Sequence, residues 1–338
     1  MSFSATNTML VIRFSSMGDV AMTVPVLRSL LSQHTSLRVL MVTQQNFAPL
    51  FAGIDRLQFI GADLQGSHRG ILGLWKLFKL VYKISGAVPV ADLHNVLRSK
   101  LFAFFFKMQG SSVVSLDKGR KEKRALTRQN QKVLKPLTST FERYAQVFRS
   151  LGYPLQLDSN FLLKKRDQQA PIKIGFAPFA KHVGKSLPIP LAEQLIANLL
   201  ESIPCQLFLF GAPGKEAAQL SIWEQTFPSA KNVAGQLELG EELQLISSLD
   251  LMITMDSANM HLASLVNTPV VSIWGATHPY AGFLGWGQSQ NQVVQTDLAC
   301  RPCSVFGNKP CFRGDYACMQ QIQTQQIVQQ VRSYLCIS

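Results

Sequence analysis

Leu251–Pro279 reads LMITMDSANMHLASLVNTPVVSIWGATHP, a strand, a helix and a second strand with the polar residues crowded at one turn. Leu251–Thr254 is a short apolar run that gives way to Met255-Asp256-Ser257, and Asp and Ser are favoured helix N-caps. A helix over Ser257–Val266 leaves its first backbone N–H groups facing that turn, where they and the helix dipole favour an anion. His261 lies one turn from Ser257 on the side from which the helix start is reached. Asn267-Thr268-Pro269 stops the helix, and Val270–Trp274 is apolar and β-branched, as in a strand buried on both faces. Gly275–Pro279 is then a loop at a strand's carboxyl end, where open α/β sheets place ligands. A plain cap for Asp256 and an ordinary imidazole for His261 are the alternative.

Upstream the same alternation continues. Strand Ile172–Phe176 leads to the loop Ala177–Pro190 with Lys181, His182, Gly184 and Lys185, followed by helix 191–200, strand 206–210, helix 215–226, strand 232–234 and helix 241–248. A first series starts at MLVIRF (9–14), a buried-type strand that runs into Ser15-Ser16-Met17-Gly18-Asp19 and a helix over Val20–Leu31. Gly18 permits a tight turn and Asp19 sits at the helix start. There is no GxGxxG, so a dinucleotide fingerprint is not supported. Strands follow at 38–43 and 57–60, a helix at 69–85, a strand at 88–92 delivering Asp92, His94 and Asn95 to a turn, and a buried helix at 98–108. Helix 141–151 and a polar linker, Lys164–Ala170, close this series, and Ile322–Leu335 reads as a terminal helix. The expectation is an α/β protein of two Rossmann-like parallel-sheet domains facing a central cleft, at 1–165 and 171–320, with 321–338 as the last helix.

The 338 residues, 47% of them hydrophobic, fill two domains rather than one. No secretory signal and no run of about 20 apolar residues is read, so a membrane-spanning segment is not expected. The net charge of +13 implies an acidic partner. Cations concentrate in Lys118–Lys135, where Lys118, Arg120, Lys121, Lys123, Arg124, Arg128, Lys132 and Lys135 face one acid, Glu122. Such a run is either a solvated loop or a grip for a phosphorylated acceptor. Nucleic acid is disfavoured, because the run lacks interleaved aromatics and no reader motif accompanies it. In helix 69–85, Lys76, Lys79 and Lys83 share one face while Ile71, Leu74, Trp75, Phe78, Val81 and Tyr82 fill another, a pattern that suits either a domain flank or an anionic membrane surface.

Cys300, Cys303, Cys311 and Cys318 stand as C-x2-C-x7-C-x6-C. They are candidate ligands of a structural Zn²⁺, or of an iron–sulfur cluster, with small buried thiols of a reducing compartment as the alternative.

VIRFSSMGDVAMTVPVLRSL and ITMDSANMHLASLVNTPVVSIWGATHP together resemble the two signature regions of the bacterial heptosyltransferases, glycosyltransferase family 9. The resemblance runs from about Met9 to the terminal helix, and the Cys-rich segment is similar to one found in part of the family. It implies a GT-B architecture, the first domain binding acceptor, the second binding nucleotide-sugar, and the last helix returning to the first. It implies an inverting transfer of heptose from ADP-heptose to a phosphorylated, lipid-linked lipopolysaccharide inner-core acceptor, at the cytoplasmic membrane face, with no metal or other cofactor in catalysis. By motif, Asp19 is the expected general base, with Ser16 and Gly18 beside it; Arg120, Lys123 and Arg124 of the cationic run are the candidates for binding the acceptor. Lys185 neutralises the diphosphate, Asp256 holds sugar hydroxyls, Ser257 with the N–H groups of Ala258 and Asn259 binds phosphate, and His261 lies near the donor. Two departures leave the donor sugar and base open: Ala258 replaces a Gly, and Leu187 stands near the place of a Trp. Two other readings stay beside this one, a GT-B transferase for a different nucleotide-sugar and a non-catalytic binder of anionic ligands.

Overall fold

The structure, a computed structural model, describes residues 7–157 and 170–337. The expected linker lies outside these apart from Ala170. The chain forms two compact units, each built on a parallel sheet.

In the first unit, β1 (Thr8–Ile12) leads to α1 (Met17–Ala21) and α2 (Thr23–Gln33), and β2 (Arg38–Gln44) and β3 (Leu57–Ala62) follow. Then come α3 (Gly70–Ser85), β4 (Val90–Asp92), α4 (Leu97–Lys107), β5 (Val113–Ser115), α5 (Arg120–Thr127) and α6 (Thr140–Ser150). The single helix expected over 20–31 is two, because Pro25 lacks an N–H and its ring crowds the carbonyl of Ala21, ending α1 there. The strand order is β3-β2-β1-β4-β5, all parallel. Leu10, Ile12, Leu40, Val42 and Val90 from the sheet bury against Leu74, Leu77, Phe78, Val81, Phe102 and Phe106 of α3 and α4. Each such side chain contributes about 1.5–3 kcal/mol.

Two expectations change here. The helix over 98–108 is not buried all round, since Phe104 is half exposed while Phe102 and Phe106 are covered. In α3, Ile71 and Trp75 do not join Leu74, Phe78 and Val81 in the core but face outward.

The second unit runs β6 (Ile172–Ala177), α7 (Ile189–Ser202), β7 (Cys205–Leu209), α8 (Lys215–Thr226), β8 (Ala230–Asn232) and α9 (Leu239–Ser248). It continues with β9 (Leu251–Met255), α10 (Ala258–Leu265), β10 (Val270–Trp274), β11 (Val293–Gln295), α11 (Ala317–Gln320) and α12 (Thr324–Leu335). Its order, β11-β10-β9-β6-β7-β8, is the parallel doubly wound arrangement in which the chain reverses direction across the β6/β9 pair. Ile174, Phe176, Leu207, Ile253 and Ile273 pack with Leu195, Leu199 and Trp223. Ile327, Val331 and Leu335 of the last helix are buried in this same core.

Residues 121–138, expected in the first domain, group with the second unit. The cause is local bonding: Lys132 donates to the carbonyls of Ala299, Cys300 and Arg301 at 3.1, 2.7 and 2.9 Å, and Leu137 N–H donates to the Tyr280 carbonyl.

Candidate functional site

Open parallel sheets place ligands where the strand order reverses, at the carboxyl ends of the two strands that flank the reversal. In the first unit these are β1 and β4, paired through Ile12 and Asp92. β1 delivers Arg13 and, past the turn, Asp19 in α1. Arg13 Nη2 lies 2.7 Å from Asp19 Oδ2, and its Nη1 donates to the Leu93 carbonyl at 2.7 Å. Ser16 donates its hydroxyl at 2.8 Å and its N–H at 3.4 Å to the same Oδ2. The acid therefore caps its helix and is oriented by a buried guanidinium at once, while its side chain stays 27% exposed. Tyr144, fully buried on α6, donates its hydroxyl to the Asp19 carbonyl at 3.3 Å, and burial pushes its phenol well above the usual range, so it stays protonated. Gly18 is buried beneath the turn.

After β4, Asp92 is wholly buried and builds the turn: Oδ1 accepts from the N–H groups of His94 and Asn95, and Oδ2 from the Ser99 hydroxyl. That turn brings His94 beside Phe14. Burial first, then the positive charges of Arg13 and Lys118, push its imidazole down to about 3, so it is neutral at ordinary pH. Lys118 is held below the usual ammonium range by burial and by Arg13 and Arg120. Asp19 is thus set among Arg13, Lys118 and a neutral His94, an arrangement suited to an acceptor that brings negative charge.

In the second unit the reversal falls between β6 and β9. The loop after β6 carries Lys185 and the turn after β9 carries Asp256, and Lys185 Nζ stands 3.0 Å from Asp256 Oδ2. Thr277, from the loop after β10, donates its hydroxyl to the same oxygen at 2.8 Å. Asp256 is 5% exposed, whereas Ser257, Ala258 and Asn259 at the start of α10 are half-buried and reachable. The Ser257 hydroxyl lies 3.2 Å from that of Thr254. His261 is buried within α10. Leu187 packs into the core, its N–H bonded to the Pro178 carbonyl.

The Cys-rich segment frames this site. Gly307 leaves so little room that a Cβ there would stand 2.5 Å from Lys185 Cγ and Cδ. Arg301, 5% exposed, donates to the carbonyls of Gly275, Trp274, Thr277 and Thr296 and to Gln295 Oε1, fixing the loop that presents Thr277. The four thiols are free, and the charges of Cys300, Cys303 and Cys311 are felt at Cys318, whose thiol burial pushes up to about 11. Each turns to a different neighbour where a bond is formed: Cys303 Sγ lies 3.8 Å from the Ala276 carbonyl and Cys311 Sγ 4.0 Å from Asp315 Oδ1. Among the described residues no group of three or more His, Cys, Asp or Glu side chains is arranged to hold a metal ion. The residues as placed do not fit the expected Zn²⁺ or iron–sulfur centre.

The acceptor-side cations are divided. Arg120 and Arg124 are exposed on α5, but Lys123 is buried with its ammonium 4.3 Å from the Phe283 ring centroid, and residues 121–138 belong to the second unit. Lys118 is part of the cationic run read from the sequence, whereas Arg13, Tyr144, Thr277 and Arg301 escaped that reading as site residues. Arg13 is the one that carried a signal, as a lone cation inside an apolar strand run.

Residues 88–310 match the family described as Glycosyltransferase family 9 (heptosyltransferase). The chain belongs to glycosyltransferase family 9. It is 26% identical over 132 residues to lipooligosaccharide heptosyltransferase 2 of Campylobacter jejuni, covering 38% of this chain and 40% of the relative. It is 31% identical over 131 residues to the Haemophilus influenzae protein of the same name, 35% of this chain and 36% of that one. These matches span about two-fifths of the relatives' length. Among solved structures, the family 9 glycosyl transferase of Veillonella parvula aligns with a TM-score of 0.71 at 17% identity, covering 100% of this chain and 99% of that one. E. coli heptosyltransferase WaaC with ADP-2-deoxy-2-fluoro heptose aligns with a TM-score of 0.68 at 16% identity, 96% of this chain and 99% of that one. The family 9 fold is the GT-B arrangement of two parallel-sheet α/β domains expected from the sequence.

Proposed function

We propose that the protein is an inverting heptosyltransferase that moves heptose from ADP-heptose to a phosphorylated, lipid-linked saccharide of the lipopolysaccharide inner core, working peripherally at the cytoplasmic face of the inner membrane. The observation that carries this reading is the Lys185–Asp256 pair at the strand-order reversal of the second unit, beside the open start of α10. A nucleotide diphosphate finds a cation and helix N–H groups there.

In this reading the acceptor hydroxyl oxygen attacks the anomeric carbon and the bond to the diphosphate breaks. ADP leaves with the electron pair, and the hydroxyl proton passes to Asp19. Lys185, Ser257 and the first N–H groups of α10 take the growing diphosphate charge, and Asp256 orients the sugar once Lys185 turns to the phosphates. A diphosphate is a competent leaving group, so no second carboxylic acid is required. Arg13 positions Asp19, and Lys118 with Arg120 attracts the phosphorylated acceptor.

The test is ADP release from ADP-heptose in the presence of a purified lipid A-linked acceptor, with Asp19→Asn alongside. Turnover by the natural chain, lost in Asp19→Asn while ADP still binds, supports the reading. Turnover only with a UDP- or GDP-sugar would reassign the donor, and undiminished turnover by Asp19→Asn would remove Asp19 as the base.

A further inference from the structure

We propose that the outward faces of α3 and α4 form a docking surface for an anionic phospholipid bilayer. The proposal deepens the functional reading, since it rests on the acceptor being lipid-linked, and it names the face that meets the lipid.

On α4, Leu97, Leu101, Phe104 and Met108 recur at i, i+4, i+7 and i+11, which sets them in one stripe along the helix and its last turn. Three of the four are turned to solvent, Leu97 85%, Phe104 51% and Met108 66% exposed, while Leu101 is half-buried against the core. α3 adds Ile71 at 67%, Leu72 at 79% and Leu80 at 48%. The two helices are joined at Trp75, whose ring meets Phe105 edge-on at 5.0 Å between centroids, so the apolar surface passes from one helix to the other. A contiguous patch of this kind on a water-facing domain marks an interaction site.

Charge selects the partner. Lys76, Lys79 and Lys83 line the outward side of α3, Lys100 and Lys107 flank the stripe on α4, and Arg69 and Arg98 stand at the two helix starts. Between Asp63 and Asp117 the chain has one acid, Asp92, and it is wholly buried. Long aliphatic and aromatic side chains ringed by lysines, with no exposed carboxylate among them, match an apolar interior beneath a negatively charged layer. The Lys79 ammonium lies 5.6 Å from the Trp75 ring centroid, a pairing suited to headgroup depth. Neither helix is long and apolar enough to cross a membrane, so the contact is one of lying on the surface.

Flotation of the full chain with phosphatidylglycerol–phosphatidylethanolamine vesicles, against phosphatidylcholine vesicles, tests this. The natural protein is expected to float with the anionic vesicles alone. The triple variant Leu97→Ser, Phe104→Ser, Met108→Ser, and separately Lys76→Glu, Lys79→Glu, Lys83→Glu, should each lower the bound fraction about tenfold or more. Brominated lipid should quench tryptophan emission clearly more in the natural protein than in Trp75→Phe, because Trp223 and Trp274 are buried and the half-buried Trp286 lies in the second unit, on neither α3 nor α4. Transfer to a deacylated, soluble acceptor should survive the triple serine variant unchanged. Vesicle binding equal to the natural protein's in both triple variants would overturn the proposal. So would light scattering showing that the natural protein is a dimer which the serine variant splits. If the natural protein binds anionic vesicles but transfers no heptose to any acceptor, the docking face stands and the transferase reading fails.

Discussion

Lys185 Nζ and Asp256 Oδ2 stand 3.0 Å apart, so the cation assigned to the diphosphate is already engaged by the acid assigned to the sugar. In the proposed reading a nucleotide diphosphate has to compete for it. Replacing Asp256 with Asn releases the ammonium and should tighten ADP binding roughly three- to tenfold while heptose transfer falls. Lys185→Ala should weaken ADP at least about tenfold, since a charge-assisted phosphate contact is lost. Calorimetric titration of ADP into both variants decides this. Equal weakening in both would mean that Asp256 holds the nucleotide rather than competing with it.

The same pair should carry stability. Lys185→Ala leaves the Asp256 carboxylate, 7% exposed, with Thr277 as its remaining bonded side chain here, a loss of about 2–4 kcal/mol for a pair only partly shielded from water. The double variant Lys185→Ala, Asp256→Ala should recover part of that loss. Thermal unfolding of the two singles and the double measures the coupling, and strict additivity would rule it out.

Arg13 should matter through Asp19. Asp19→Asn is expected to cut kcat by roughly 10²–10⁴ with ADP affinity intact. Arg13→Lys keeps a charge but not the fork that joins Asp19 to the Leu93 carbonyl, so kcat should fall while KM for donor stays. The positioning role is excluded if Arg13→Lys changes donor KM and leaves kcat untouched.

How much of this was legible in the sequence follows from distance along the chain. Asp19 and Asp256 announce themselves because each sits in a local pattern of strand, turn and helix start, and the two alternating series imply two parallel sheets. Arg13 was six residues from Asp19 yet read as part of a strand, because hydrophobic periodicity does not say where a buried guanidinium ends. Thr277 and Arg301 come from loops 21 and 45 residues past Asp256, and only the parallel β9/β10 pairing brings the first of them to it. Lys132 looked like part of a phosphate grip, but three backbone carbonyls near Cys300 claim it. One-sided charge in a run tells nothing about which members find partners inside the protein.

Acid should loosen the first unit through His94. Its folded imidazole is held down to about 3 against an ordinary 6.5, so between those values the unfolded chain binds the extra proton. Stability from this group is therefore present above about pH 6.5 and lost as pH falls toward 3. His94→Gln, which cannot titrate, should flatten the dependence of Tm on pH between about 6 and 4, compared at matched salt. An unchanged slope in His94→Gln would assign the acid sensitivity elsewhere.

Gly307 ties the Cys-rich segment to Lys185 by shape. Its φ of +74° lies in the left-handed region, and an added Cβ would fall 2.5 Å from the Lys185 stem. Gly307→Ala should therefore cost about 1 kcal/mol in backbone strain and also push Lys185 out of line, weakening ADP several-fold. Gly314 provides the control within the same segment: its φ is +82°, but a Cβ there meets open space. Gly314→Ala should show the loss of stability without the loss of ADP affinity. If both variants bind ADP as the natural protein does, the segment supports Lys185 less closely than the packing indicates; if both lose it equally, backbone strain alone, and not the contact with Lys185, governs the site.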